Sequence, residues 1–124
     1  MTNFEYIRNR LLQGKEYLNY FDLEKVRDQE WSKEFEELMR NRLVLGSFRY
    51  GKLGAKDKPN YNRVSSISKR LALYQETGNK EYLVDIAAIA MVEFVESKHP
   101  KAHFRAQDDS EHVETIKENI DANS

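Results

Sequence analysis

The chain has 124 residues and a mass of 14.7 kDa, the size of one domain with a single core. Hydrophobic residues make up 40% and charged residues 33%, a balance typical of soluble globular proteins and not of disordered or fibrous ones. The absence of cysteine excludes disulfides, thiolate metal sites and cysteine nucleophiles. No long apolar run and no signal-peptide pattern is present, so we expect a cytoplasmic protein with no membrane partner.

The net charge of −1 conceals a strong segregation of charge along the chain. Residues 1–39 carry six Lys or Arg against nine Asp or Glu, residues 40–70 carry nine against one, and residues 71–124 carry five against eleven. Residues 40–70, called the basic segment below, therefore have a net charge of +8. We expect this concentrated positive field to attract an anionic partner.

Apolar residues recur mostly at spacings of three and four, which predicts an all-α fold, a compact bundle of about four to five helices. Thr2 and Glu5 have the spacing of a capping box and predict the start of the first helix. A second helical stretch starts at Asp22 or Ser32, with Gly51 as its expected end. Its periodic stripe comprises Trp31, Phe35, Leu38, Arg42 and Leu45, and Gly46 within it predicts a kink or an early end.

Residues 51–62 are rich in Gly, Lys, Pro and Asn and predict a loop long enough to suggest a function. Asn60 or Asn62 then caps a third helix that ends at residues 77–79, and its inward stripe is Val64, Ile67, Leu71 and Tyr74. The fourth helix, about residues 80–97, packs antiparallel to the third and should be central and buried. We expect residues 1–97 to form the bundle and residues 98–124 to form a polar, partly ordered extension with a long acidic tail.

Asp85 interrupts the apolar fourth helix, where an uncompensated carboxylate costs several kcal/mol. Two solutions remain open. In the first, Glu81 one turn earlier and acids of the second helical stretch join Asp85 around Mg²⁺ or Mn²⁺, the candidate acids being Glu34, Glu36 and Glu37. In the second, Asp85 forms a buried ion pair with Arg40, Arg42 or Arg70.

The loop and its flanks carry a second candidate site, in which glycine amides and cations contact phosphate oxygens and tyrosines stack on a base. Its candidate ligand-binding residues are Arg49, Tyr50, Lys52, Lys56, Tyr61 and Arg63. A phosphate-binding motif of the form GxxxxGK[ST] is absent. The alternative is a solvated loop kept soluble by its lysines. His99, His103 and His112 also raise a zinc hypothesis, but only the first two have a ligand-like spacing.

Residues 45–51, LGSFRYG, and 77–94, TGNKEYLVDIAAIAMVEF, resemble small phage and bacterial helical proteins linked to the all-α NTP pyrophosphohydrolases. These include the MazG-like enzymes and nucleotide-modification-associated domains. MazG-like enzymes hold Mg²⁺ with a Glu-Glu-x-x-Glu set on one helix and a Glu-x-x-Asp set on a later one. In this sequence Glu36 and Glu37 match the first pair and Asp85 matches the final aspartate. Arg40 and Tyr82 stand at the other two ligand positions.

The resemblance implies nucleotide binding and Mg²⁺-dependent pyrophosphohydrolysis of a nucleoside triphosphate. It implies Glu36, Glu37, Glu81 and Asp85 as metal ligands, and Glu37, Glu81 and Asp85 as catalytic residues, with Glu81 one residue early. The alternative is a non-catalytic phage or mobile-element accessory protein that binds a host protein, a nucleic acid or a signalling nucleotide. Under both hypotheses we expect a homo-oligomer, because a short bundle leaves an apolar face exposed.

Overall fold

The computed structural model describes residues 2, 5, 6, 8, 9, 30–105 and 114–116. Contacts divide the chain into two units, Glu30–Ala102 and a second that combines Met1–Gln29 with His103–Ser124. The unit Glu30–Ala102 contains the helices α1 (Lys33–Tyr50), α2 (Arg63–Thr77) and α3 (Glu81–Glu96). The described residues include no strand, which confirms the all-α class. They show three helices, so the count of four to five and the boundary at residue 97 stay predictions.

The predicted capping box is present near the N-terminus. The Thr2 hydroxyl accepts a hydrogen bond from the Glu5 N–H, and the Glu5 carboxylate accepts one from the Thr2 N–H, each at 3.1 Å. The described residues 5, 6, 8 and 9 have helical backbone. Two backbone donors of the first turn are thereby satisfied, as this motif requires. The rest of this helix and the possible start at Asp22 lie outside the described residues.

α1 begins at one of the two predicted starts and ends at the predicted glycine. Ser32 is the N-cap residue, and its hydroxyl accepts from the Phe35 N–H at 3.1 Å. Gly51 ends the helix with a φ of +93°, and its N–H donates to the Ser47 carbonyl at 3.1 Å. The helix continues through Gly46 to Tyr50, so the early end expected at that glycine is wrong.

The ends of α2 also follow local signals in the sequence. Asn62, and not Asn60, is the N-cap, since its side-chain oxygen accepts from the Ser65 N–H at 3.0 Å. Gly78 ends the helix in the left-handed region at a φ of +70°, and its N–H donates to the Tyr74 carbonyl at 2.8 Å. A residue with a side chain rarely adopts this conformation, which is why glycine stands there.

α3 is the central helix of its unit. Both α1 and α2 pack on α3, and within the described part of the chain they do not pack on each other. Arg63 at the start of α2 contacts Glu96 at the end of α3, so these two helices are antiparallel, as predicted. Among the described residues, the buried ones are Val84 and Ala88, one turn apart on α3. Phe94 on the same helix is 70% exposed, so α3 is central as predicted but is buried along one stripe only.

The inward faces of α1 and α2 differ from the predicted apolar stripes. In α1, Leu38 and Leu45 are exposed, and the less exposed residues are Glu36, Met39, Arg42, Leu43 and Gly46. In α2, Val64 and Leu71 are exposed, and the less exposed residues are Arg63, Ser66, Ile67, Arg70, Leu73 and Tyr74. Both faces include arginines that pair with acids of α3. No helix among the described residues is long and apolar enough to cross a membrane.

Candidate functional site

Asp85 is held by two arginines that come from different helices. Arg42 of α1 donates from Nε to Asp85 Oδ1 at 2.7 Å, and Arg70 Nε of α2 lies 3.6 Å from Oδ2. The Asp85 side chain is only 12% exposed, whereas the Arg42 and Arg70 side chains are 32% and 33% exposed. The structure therefore contains the ion pair that the sequence left as an alternative, formed with Arg42 and Arg70 and not with Arg40.

The other predicted metal ligands are placed differently. Glu81 Oε1 lies 3.6 Å from Arg42 Nη1, so Arg42 contacts the carboxylates of both Glu81 and Asp85. Glu36 pairs with Arg40 one turn later at 2.6 Å, and Glu37 is exposed on α1. The guanidinium group of Arg42 thus lies between the carboxylates of Glu81 and Asp85, where a metal ion bound by both would have to lie.

No metal cluster is present in the described part of the chain. There, no group of three or more His, Asp or Glu side chains is arranged to hold a metal ion. His99 Nδ1 instead accepts from the Lys101 N–H at 2.9 Å, and His112 lies outside the described residues. This donor set does not fit a divalent cation as arranged, so the Mg²⁺ site stays a prediction.

A cavity of about 360 Å³ opens between α1, α3, the start of α2 and the loop 51–62. We call it the central cavity. Its apolar wall consists of Leu43, Leu45, Leu53, Ala88, Ile89, Met91 and Val92. Its polar and aromatic lining includes Arg42, Ser47, Arg49, Tyr50, Lys58, Tyr61, Arg63, Ser66, Arg70 and Asp85. An apolar wall with a few convergent polar groups, at this size, is typical of a small-molecule site.

The charge of the central cavity is positive. Four arginines and Lys58 line it against one carboxylate, that of Asp85. Three further acids, Glu81, Glu93 and Glu96, contact these cations without lining the cavity. The net charge is +4 for the lining alone and +1 with these neighbours. Arg49 forms no ion pair with any residue in the described part of the chain, so its charge is available to a ligand.

Glu96 fastens the loop to the end of α3. One of its oxygens, Oε2, accepts from the Gly54 N–H and from Lys58 Nζ, each at 2.7 Å. The other, Oε1, accepts from Arg63 Nη2 at 2.7 Å. The Lys58 ammonium and the Gly54 amide stabilise the ionised carboxylate and hold the pKa of Glu96 below its ordinary value. Glu96 was not among the predicted site residues, although residues 71–124, to which it belongs, are opposite in net charge to the basic segment.

Two tyrosines predicted to stack on a base lie side by side at the cavity. The rings of Tyr50 and Tyr61 are 5.5 Å apart between centroids and nearly perpendicular, at 73°. The guanidinium carbon of Arg63 lies 5.9 Å from the centre of the Tyr61 ring. The two rings thus contact each other edge to face, and Arg63 fixes the second ring through a cation–π contact.

Four of the six predicted ligand-binding residues line the central cavity and two do not. Arg49, Tyr50, Tyr61 and Arg63 line the central cavity, whereas Lys52 and Lys56 do not line it and are exposed. Lys58 belongs to the candidate loop but was not selected as a ligand-binding residue, and its partner Glu96 was missed. It considered Arg42 and Arg70 only as partners of Asp85, and the cavity adds a second role for them.

No protein-family model, no curated protein and no solved structure matches this chain. The fold and the cavity therefore identify a class of protein and no family. It is an all-α protein in which a central helix, two flanking helices and a loop surround an arginine-rich, apolar-walled cavity. The resemblance to MazG-like enzymes stays a prediction.

Proposed function

We propose that the protein binds a small phosphorylated ligand with a flat ring, of the nucleotide class, in the central cavity. The observation that supports this best is the union of arginine side chains with an apolar and aromatic wall in one cavity of about 360 Å³. Guanidinium groups are the side chains best suited to phosphate, and apolar and aromatic walls suit a base. We propose a binding role in which no metal is required.

The phosphate would lie against the arginines that Asp85 orients. Asp85 contacts the Nε atoms of Arg42 and Arg70, and Arg42 Nη1 lies 3.6 Å from Glu81, so the Nη2 atom of each arginine has no hydrogen bond or ion pair among the described residues. Arg70 Nη1 donates to the Ser66 carbonyl at 3.2 Å, which further fixes that side chain. Pre-oriented guanidinium groups bind phosphate with less loss of side-chain entropy. Asp85 therefore has the role of orienting the phosphate-binding arginines.

The charge balance favours a ligand with a single phosphate. A phosphate monoester carries a charge of about −1.5 to −2 at neutral pH, whereas a triphosphate carries roughly twice that or more. The site, with its neighbouring acids, has a net charge of +1, and Asp85 itself lines the cavity. A monophosphate meets this field with little excess negative charge.

The proposal is tested by isothermal titration calorimetry with AMP, dTMP, ATP and adenosine in metal-free buffer. We expect the monophosphates to bind and adenosine to bind more weakly. Arg49→Gln should weaken monophosphate binding about tenfold, because it removes a charged hydrogen bond without leaving an acid unpaired. Lys69→Gln is the matched control, since Lys69 belongs to the basic segment, is exposed and does not line the cavity. Binding of none of the four compounds, or equal loss in both variants, would overturn the proposal.

A second candidate function is Mg²⁺-dependent hydrolysis of a nucleoside triphosphate to a monophosphate and pyrophosphate. It is supported by the approach of Glu81 and Asp85 to a single arginine, Arg42, which brings two of the predicted ligands together. Incubation with Mg²⁺ and a panel of dNTPs tests it. Release of pyrophosphate that is lost in Asp85→Asn would favour hydrolysis over binding alone.

We also propose that the protein works in the cytoplasm as a homo-oligomer. Support for association comes from α1, where Val44 and Phe48 are exposed at 57% and 83%. Light scattering coupled to gel filtration gives the mass in solution, and a mass of 14.7 kDa would show a monomer instead.

A further inference from the structure

The loop 51–62 supplies one wall of the central cavity, through Leu53, Lys58 and Tyr61. Such a segment has no hydrogen-bonded ladder of its own and depends on its contacts for its position. In the described residues its strongest contacts to the rest of the unit converge on one carboxylate, that of Glu96.

Glu96 contacts the loop at two points and the first residue of α2 at a third. It accepts from the Gly54 amide near the start of the loop, from Lys58 in its second half, and from Arg63 directly after its end, each at 2.7 Å. Gly54 has a φ of +77°, a conformation that glycine adopts without strain and that presents this amide to the carboxylate. One carboxylate therefore joins the first half of the loop, its second half and the start of α2 to the end of α3.

These charges are among the least exposed in the described part of the chain. The side chains of Glu96, Lys58 and Arg63 are 9%, 10% and 12% exposed. Charged hydrogen bonds at such low exposure are strong, and the loss of one partner leaves the others unsatisfied. Arg63 has a second acid, Glu93, at 3.2 Å, but Lys58 has no other acid partner among the described residues.

We propose that Glu96 is a positioning residue for the central cavity. It does not line the cavity but holds the loop wall in place, and so sets the affinity for the ligand. The inference rests on the proposed function for its effect on binding, whereas its effect on the loop stands independently of any ligand.

The experiment compares Glu96→Gln with Glu93→Gln. Glu93 is the matched control, because it lies one turn earlier on α3 and also pairs with Arg63, yet it contacts neither Gly54 nor Lys58. Without ligand, hydrogen exchange of the Gly54 amide and tryptic cleavage after Lys52 and Lys56 report the state of the loop. We expect both rates to rise about tenfold or more in Glu96→Gln and to stay near wild type in Glu93→Gln.

Hydrogen exchange of the Val84 and Ala88 amides, at the buried positions of α3, tests whether Glu96→Gln destabilises the whole unit or only the loop. Their exchange should be unchanged in Glu96→Gln, which separates local release of the loop from global unfolding. Equal loop rates in both variants, or an equal rise at the α3 amides, would overturn the inference.

The second measurement is AMP affinity in the same three proteins. A loss confined to Glu96→Gln supports the positioning role, and an unchanged affinity with a released loop overturns it. If wild-type protein binds no AMP, the proposed function fails for this probe. The loop rates then still decide whether Glu96 positions the wall.

Discussion

Arg42 and Asp85 are 43 residues apart in the sequence and share a hydrogen bond of 2.7 Å between α1 and α3. The bond requires Arg42 to face α3. Leu38 and Leu45, four residues before and three residues after Arg42, are close to it on the helix by spacing, yet they are 44% and 45% exposed. The face of α1 that packs on α3 therefore has Arg42 near its edge and includes Met39, Leu43 and Gly46.

We predict that Asp85→Asn lowers the free energy of unfolding by about 1–3 kcal/mol, because Arg42 and Arg70 lose their shared counter-charge. Urea denaturation followed by circular dichroism measures this. Glu37→Gln is the control, since Glu37 is exposed and forms no ion pair with the described residues; its stability should match wild type. Full stability of Asp85→Asn would contradict the structural role of the pair.

Two glycines should respond in opposite directions to alanine. Gly78→Ala should destabilise the protein by about 1 kcal/mol, because a Cβ atom there is strained at a φ of +70° although it has open space. Gly46→Ala should stabilise it by about 0.5–1 kcal/mol, since Gly46 lies inside α1 and its new Cβ meets only Tyr50 at 3.9 Å. Paired thermal melts check both signs.

Acid should weaken the contribution of Glu96 to stability. Its pKa is lowered in the folded protein, so the stabilisation is complete above the ordinary value of 4.5 and is lost as the pH falls through the lowered pKa. The facing groups are Lys58 and Arg63, with Glu93 beyond Arg63, and both cations stay charged in this range. The stability difference between wild type and Glu96→Gln should be constant from pH 7 to 6 and shrink below 4.5. A difference that does not change with pH would exclude the carboxylate as its source.

Chelation should leave monophosphate binding unchanged. The described residues place guanidinium groups, and no cluster of three acids or histidines, around the central cavity. We therefore expect equal AMP affinity in EDTA and in Mg²⁺, measured by calorimetry in one buffer. Affinity that rises more than tenfold with Mg²⁺ would move the second candidate function ahead of the first.

Helix ends were the most predictable features. Gly51 and Gly78 stand at the predicted helix ends, and Ser32 and Asn62 are each one of the two N-cap candidates that the sequence offered, beside Asp22 and Asn60. Caps depend on one side chain and the backbone within four residues, so they can be predicted locally. Val64 and Leu71 were predicted to point inward and are exposed. The prediction used the spacing of apolar residues alone, which carries no information about the ion pairs that Arg63 and Arg70 form with α3.

In the candidate site too, residues close together in the sequence were predicted and contacts between distant residues were not. Arg49, Tyr50, Tyr61 and Arg63 were selected because they cluster along the chain, and the structure places all four at one cavity. Glu96 was not selected, because its partners Gly54 and Lys58 lie 42 and 38 residues away. Spacing on one helix cannot show such a contact.

The sequence by itself determined the all-α class, the capped ends of α1 and α2, the loop between these two helices, and the opposite charges of residues 40–70 and 71–124. These properties follow from local backbone preferences and from composition. Only the tertiary structure decided that Asp85 is held by arginines and that Glu96 fastens the loop. Both outcomes depend on which charges are brought together at low exposure when the helices pack, and that is fixed by the rotation and pairing of whole elements.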